Sequence, residues 1–435
     1  MEKLLEKAIR LFDQVEIFSH ESEVKSVNFE NMKLHDIETS LEKGVSIRAI
    51  KNGKLSFAYT RNLIDPDELL QNAVDSLHAG VSADFSFPAT SGTVDLPTFD
   101  KSVEDISSSQ LVDECQRICD SLNETGGEVG ASAGTEIKRI RVMNSAGTDL
   151  RLVSGASHVY GRLGFPGTGS TIGRIIASRA FATMDDAVVK DIASTFIASR
   201  NEVKVRGGRM KVLFMPNSMY SLIWRINAAV NARNIFEKTS PLTGRLGEKV
   251  FSEKLTICDD SHDDSGRSAR SCDDEGVATK KICLFDRGVF KNFFSDLKYS
   301  EKLNVESTGH GYRVAQWQND PLPLNPAPAA MNLRFSPGEK TVAELIRSMD
   351  RGIIVEVCLG AHSGNIINGD LSIGGCPAMY VENGEIKGRA SDIMVAGNIY
   401  DMFKNVIDLS AESQFGYGSY SPAMLIDDVN VSSSG

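Results

Sequence analysis

The chain has 435 residues, 41% of them hydrophobic and 24% charged, an ordinary globular composition with room for two domains. Its 47 basic side chains stand against 58 acidic ones, and the formal net charge of −11 argues against direct, extended binding of nucleic acid. No apolar run approaches the roughly 18–20 residues that span a bilayer. Residues 1–13 lack the apolar core of a secretory signal, and the seven scattered cysteines suit reduced thiols, so a cytoplasmic protein with no membrane contact is expected.

Leu4, Leu5, Ala8, Ile9 and Phe12 share one helical face, which predicts an amphipathic helix over residues 2–13. Residues 15–19 and 24–29 read as strands. Residues 44–50 and 54–59 form a predicted hairpin around Lys51-Asn52-Gly53, because Asn-Gly favours the tight turn that joins two strands. Asp65-Pro66-Asp67-Glu68 starts a helix: Asp65 caps it, Pro66 takes the first turn, and the acids face the positive end of the helix dipole. Residues 82–105 are polar and broken by prolines, a surface crossing. A second helix is predicted over 109–122, with Leu111, Cys115, Ile118, Cys119 and Leu122 inward. Strands at 136–143 and 148–153 flank the turn Asn144-Ser145-Ala146-Gly147, and 187–200 reads as another helix.

Arg206-Gly207-Gly208-Arg209 reads as a domain boundary, dividing the chain into 1–208 and 209–435. Beyond it come a buried strand at 211–215, a helix over 217–236 and then mostly β character. Pro321, Pro323, Pro326 and Pro328 force an extended crossing. A short helix is expected at 341–349, a strand at 353–358, a late helix at 398–406 and a last strand at 423–431. The densest punctuation lies between Ser240 and Arg313. It includes Ser240-Pro241-Leu242-Thr243-Gly244-Arg245-Leu246-Gly247-Glu248, Asp259-Asp260, Asp273-Asp274-Glu275-Gly276-Val277 and Ser307-Thr308-Gly309-His310-Gly311-Tyr312-Arg313. Glycine permits positive φ or close backbone approach, and Asp and Ser close turns through their side chains. Defined loops on β-structure are implied, and no reaction.

In order and spacing these motifs resemble the TldD/PmbA family, and its PmbA (TldE) branch in particular. The resemblance continues through Asn368-Gly369-Asp370-Leu371-Ser372, Glu382-Asn383-Gly384-Glu385-Ile386 and Ala396-Gly397-Asn398-Ile399. It reaches back to Gly44-Val45-Ser46-Ile47-Arg48, and so covers nearly the whole chain. In the TldD branch, the helix matching 217–236 carries His-Glu-x-x-x-His. Two histidines one turn apart hold zinc there, and the glutamate handles the proton of the bound water. Here that helix reads Leu222-Ile223-Trp224-Arg225-Ile226-Asn227-Ala228, without histidine and with a cation that would repel zinc. The late cysteine ligand of the catalytic branch has no counterpart in Gln414-Phe415-Gly416-Tyr417-Gly418-Ser419.

Other candidates are weighed against blander readings. Cys115 and Cys119, four apart on a helix, suit a core better than a metal. Asp259, Asp260, Asp263 and Asp264, with His262 among them, form an acidic cluster whose carboxylates offer oxygen ligands to a hard cation but which reads more simply as a solvated loop. Residues 164–173 are glycine-rich yet lack the Gly-Lys-Ser/Thr ending of a phosphate loop, and no Gly-x-Ser-x-Gly elbow is present. Asp273, Asp274 and Glu275 are candidate substrate-binding groups, with a structural role in a turn favoured. Arg313 either pairs with one of them or holds a peptide carboxylate.

The expected fold is α+β in two domains: helices on a mixed or antiparallel sheet, then a mainly β domain. The resemblance implies a zinc-free subunit, with no cofactor, metal or catalytic residue of its own. Its partner would be a TldD-like zinc-bearing subunit or a second copy of itself, and its substrate a peptide or unfolded protein. The resemblance also carries the family's associations with microcin maturation and modulation of DNA gyrase. A homodimeric peptide-binding or regulatory protein is the alternative. A self-sufficient hydrolase using the acids at 273–275 is a third possibility.

Overall fold

The computed structural model describes residues 1–62, 64–263 and 267–433. Two large sheets organise the α+β fold. The first has seven strands: β1 Gln14–Glu30, β2 Lys33–Lys51, β3 Lys54–Thr60, β4 Val81–Ser82, β5 Glu128–Asn144, β6 Asp149–Gly164 and β7 Thr171–Ser178. They run β4-β3-β2-β1-β5-β6-β7, every neighbour antiparallel.

Side chains alternate across a strand, so each face of this sheet is set by parity. Odd positions of β1 (Val15, Ile17, Val27, Phe29) meet helices α1 Glu2–Ala8, α2 Pro66–Ser76, α4 Ser108–Leu122 and α5 Asp186–Ala198. The short α3, Ser102–Asp105, lies ahead of α4. Even positions of β1 face the C-terminal half, and Glu16 and Phe18 are as deeply buried there as Val15 and Ile17. The sheet is therefore covered on both sides along this stretch.

Local signals account for many element ends. Asn52 and Gly53 both take positive φ in the β2–β3 turn. Asp65 accepts hydrogen bonds from the Asp67 and Glu68 backbone, with Pro66 opening α2. Ser107 and Gln110 cap α4 reciprocally.

Several expected elements differ in extent. The first helix stops at Ala8, and Phe12 reaches the core from the turn that follows. The strands expected at 15–19 and 24–29 are one strand of 17 residues. The long helix expected over 217–236 is two, α6 Tyr220–Ala229 and α7 Ala232–Phe236. Asn231 breaks it by capping α7 with its side-chain oxygen, while its amide donates to the Pro328 carbonyl at 2.7 Å. The late helix is a single turn, Ile399–Met402, followed by a 3₁₀ turn.

The chain enters the second sheet at β8 Glu202–Val203 and β9 Gly208–Phe214. Strand β9 lies inside this mixed sheet, parallel to Arg351–Val355 and antiparallel to Ser419–Ser432. Leu222, Ile226 and Ala229 of α6 join Val212, Phe214, Phe251 and Phe285 in the largest core. A small sheet of Ile257–Asp259, Ile282–Asp286, Val289–Phe290 and Leu333–Phe335 leads into the segment that docks on the first sheet.

Candidate functional site

The punctuated segment meets the first sheet through charge. Arg48 on β2 and Glu16 on β1 face each other across the strand pair. Arg48 donates to both Glu16 oxygens at 2.9 and 2.6 Å, and to Glu275 at 2.9 Å. Arg313 donates to Glu16 at 3.0 Å and to the Leu324 carbonyl at 2.6 Å. Asp274 accepts from the Arg313 backbone and from Arg270, each at 2.8 Å. Burial works against the Arg48 charge, but Glu16 and Glu275 outweigh it and hold its pKa above the usual value. Arg313 is pulled down to about 10, mainly by burial, with Glu16 resisting.

The four candidate residues thus sit together. Asp273 is the turn-former: it accepts from the backbone of Glu275, Val277 and Gly311 at 3.0, 2.9 and 2.8 Å. Gly276 takes positive φ to close that turn, and a side chain on Gly311 would run into Glu275. Burial raises the pKa of Asp273, with the neighbouring Glu275 adding to it, and burial also raises Glu275 itself. The guanidinium of Arg313 pairs with Glu16, and it is the backbone N–H of Arg313 that donates to the acid triplet, at Asp274. Glu16 was missed in the sequence, although an acid between Val15 and Ile17 of a strand is the signal of a second buried face. Arg48 was visible as the last residue of Gly44–Arg48, but without a partner.

The remaining candidates separate. Cys115 and Cys119 are core residues on α4, their thiols pushed up to about 12 and about 11 by burial. Asp259 departs from the expected solvated loop. It is fully buried on its strand, accepting from the Asn332 backbone at 2.7 Å and lying 3.0 Å from Nε2 of the equally buried His310. Asp260, His262 and Asp263 are partly exposed, and Asp264 lies outside the described residues. Residues 164–173 span the end of β6, the connection at 165–170 and the start of β7, with Gly167 and Gly169 at positive φ in the connection.

On α6 the structure puts a different chemistry. Its sequence, Tyr-Ser-Leu-Ile-Trp-Arg-Ile-Asn-Ala-Ala, offers no zinc donor. Arg225 is wholly buried and donates to four backbone carbonyls: Asp370 at 2.6 Å, Ser221 at 2.6 Å, Ala361 at 3.0 Å and Ser363 at 2.8 Å. Burial draws its pKa down. The residues of this helix therefore do not fit a zinc ion. Among the described residues no group of three or more His, Cys, Asp or Glu is placed to share a metal. Tyr220 and Trp224 of α6 pack against Tyr417 and Trp317, residues that are 62% and 79% exposed.

Between the first sheet and the docking segment lies a cavity of about 730 Å³, whose wall includes Asp274 and Arg313. Among the described residues no helix is long and apolar enough to cross a membrane.

Sheet, docking segment and α6 together define a known class. The family model for the PmbA/TldA metallopeptidase C-terminal domain matches residues 207–433, and that for metallopeptidase domain 1 matches 15–79. The chain belongs to this TldD/PmbA family. Over 429 residues it is 25% identical to an uncharacterized protein of Methanocaldococcus jannaschii, covering 95% of this chain and 96% of that one. A metalloprotease PmbA homolog of Buchnera aphidicola is 24% identical over 57% of this chain and 52% of its own length, so the chain matches about half of that relative. TldE from Thermococcus kodakarensis has the same fold, with a TM-score of 0.90 at 24% identity over 99% of both chains.

Proposed function

We propose that this chain is the zinc-free, PmbA/TldE-like subunit of a TldD-type metalloprotease that degrades or trims peptides and unfolded proteins. The observation that carries the reading is Arg225. It fills, with a guanidinium bound by carbonyls, the face of α6 that in a zinc-bearing relative would carry ligands. Chemistry at a metal would then belong to the partner, and this chain would contribute an interface and part of the peptide-holding surface. The domains so used are 1–208 and 209–435.

Two surfaces support that role. Residues 33–44 of β2 have no strand on their outer side among the described residues, since β3 pairs only from Val45 onward. Leu34, Ile37 and Leu41 are exposed along this edge. An open edge with apolar side chains takes up another strand through main-chain hydrogen bonds, with little demand on sequence. The exposed Trp317–Tyr417 group beside α6 supplies aromatic area of the kind that anchors protein contacts. The same edge suits a second copy of this chain, which favours a homodimeric peptide-binding or regulatory protein as the alternative. A link to DNA gyrase would mean contact with the protein rather than with DNA, given the net charge of −11.

The test is elemental analysis and peptide hydrolysis on one tag-free sample, alone and mixed with a zinc-bearing sibling. Substoichiometric zinc, no hydrolysis alone and hydrolysis in the mixture is the expected result. About one tightly held zinc per chain with chelator-sensitive hydrolysis by the chain alone would overturn the reading.

A further inference from the structure

Two of the seven cysteines face each other across a strand pair. In the small sheet, Cys258 of Ile257–Asp259 is the register partner of Cys283 of Ile282–Asp286, on antiparallel strands. The ladder shifts register between Ile257 and Cys258, and this pair follows the shift. Residues opposed in this way point to the same face of a sheet, with Cα atoms about 4.5–5.5 Å apart. A disulfide needs Cα atoms within about 4.4–6.8 Å, so the backbone meets that requirement.

The sulfurs follow the backbone. Cys283 Sγ leans over the facing strand, 3.9 Å from the Ile257 carbonyl oxygen, and the Cys258 thiol has Cys283 as a hydrogen-bond neighbour. Both thiols are free, and both residues are partly exposed to solvent. No other cysteine is placed in this way among the described residues. Cys115 and Cys119 are neighbours but wholly buried, Cys272 and Cys358 are buried, and Cys376 Sγ lies 3.2 Å from the Ser170 hydroxyl.

The position of the pair in the chain gives it a consequence. Between the two cysteines, residues 259–282 carry Arg270, Asp273, Asp274 and Glu275 to the first sheet, where Glu275 accepts from Arg48 at 2.9 Å. Cys258 and Cys283 stand at the neck of this excursion, on the strands by which it leaves and rejoins the small sheet. The strand ladder is in place with both thiols free, so a bond there would reinforce the neck rather than build it.

We propose that Cys258 and Cys283 form a reversible disulfide that locks the neck of the docking segment. The oxidant is a low-molecular-weight disulfide. The thiolate of one cysteine attacks it and expels a small thiolate, and the second cysteine then displaces the other half. Two protein thiols and one small disulfide become one protein disulfide and two small thiols, each protein proton ending on a released thiolate. Burial first, and Cys283 next, push the Cys258 thiol up to about 12. Little of it is thiolate at neutral pH, which puts the exchange at the slow end of the seconds-to-hours range.

The experiment incubates the full chain overnight with oxidised glutathione, denatures it, alkylates the remaining thiols and maps the peptides by mass spectrometry. Two fewer labels than the reduced chain's seven are expected, with one cross-linked peptide joining Cys258 to Cys283. The urea midpoint of the oxidised chain should lie above that of the reduced chain, because the bond closes a long loop in the unfolded state. Amide exchange at 270–275 should slow, and dithiothreitol should reverse all three changes. Cys283→Ser should abolish them while keeping the midpoint of the reduced parent, and Cys376→Ser should retain them. Seven labels after oxidation, a cross-link through any other cysteine, or a glutathione adduct that does not go on to join Cys258 and Cys283 overturns the pairing. A Cys258–Cys283 cross-link that leaves midpoint and exchange at their reduced values overturns the lock.

Discussion

Arg48 and Arg225 are both enclosed by protein, yet they are answered by different chemistry. Arg48 meets two carboxylates, one from each half of the chain, so its charge is cancelled where it lies. Arg225 meets four carbonyls, whose dipoles satisfy its hydrogen bonds and leave its net charge in place. Taking a charge out of water is unfavourable unless geometry and hydrogen bonds repay it. The Arg48 network repays it with ion pairs and spends them on holding the two halves together. The Arg225 site repays it with backbone, and fixes the loop at 361–370 against α6. Only the first arrangement contains groups whose protonation changes.

The sharpest break falls on Glu16, because it serves two cations at once. Glu16→Gln is expected to lower stability by about 3–5 kcal/mol, the usual cost of stranding one side of a buried pair. Chemical denaturation gives the number. A loss under about 1 kcal/mol, no more than an exposed pair contributes, would mean that the halves do not depend on this contact.

Arg225→Met removes the other arrangement. It leaves carbonyls of Asp370, Ala361 and Ser363 without this donor, and an apolar chain of similar length fills part of the space. A loss of about 2–4 kcal/mol is expected from the unanswered acceptors. Amide exchange should rise at 361–370 and stay unchanged in β1 and β2. Exchange that rises first at the Glu16 contact would contradict the separation of the two regions.

The two regions also differ in how far the sequence exposed them. Helix caps and tight turns were legible, because Asp65-Pro66 and Asn52-Gly53 act through neighbours along the chain. The length of β1 was not, since its even face carries Glu16, His20 and Ser22 and reads as interrupted until the covering segment is in place. The acids at 273–275 were singled out, and Asp274 has a cation four residues back at Arg270, but the cationic partner of Glu275, Arg48, lies more than two hundred residues away on β2. Arg225 was read as a charge that repels a metal. That four carbonyls converge on it depends on loops at 361–370, which no local pattern announces.

The comparison can be refined by pH, with a smaller effect. Asp296 caps the helix Leu297–Leu303 and accepts from the Tyr299 backbone at 2.8 Å. Burial first, and the nearby Glu275 second, push its pKa up to about 7 from a usual value of 3.8. Between those values the folded chain keeps a proton that the unfolded chain has lost. The contribution to stability is therefore complete below the unfolded pKa and disappears as pH rises through the folded one. Glu275 and Asp273 are shifted the same way, so they add to the slope. One such group changes stability by at most about 1.4 kcal/mol per pH unit. Asp296→Asn keeps a cap oxygen for Tyr299 and removes the proton, so urea midpoints taken from pH 4.5 to 7.5 should fall less steeply than in the parent. Arg225→Met should keep the parent's slope, since carbonyls do not titrate. Parallel slopes for Asp296→Asn and the parent would sink the assignment to Asp296. A flattened slope in Arg225→Met would show that the two arginine sites are coupled, and the contrast between them would have to be given up.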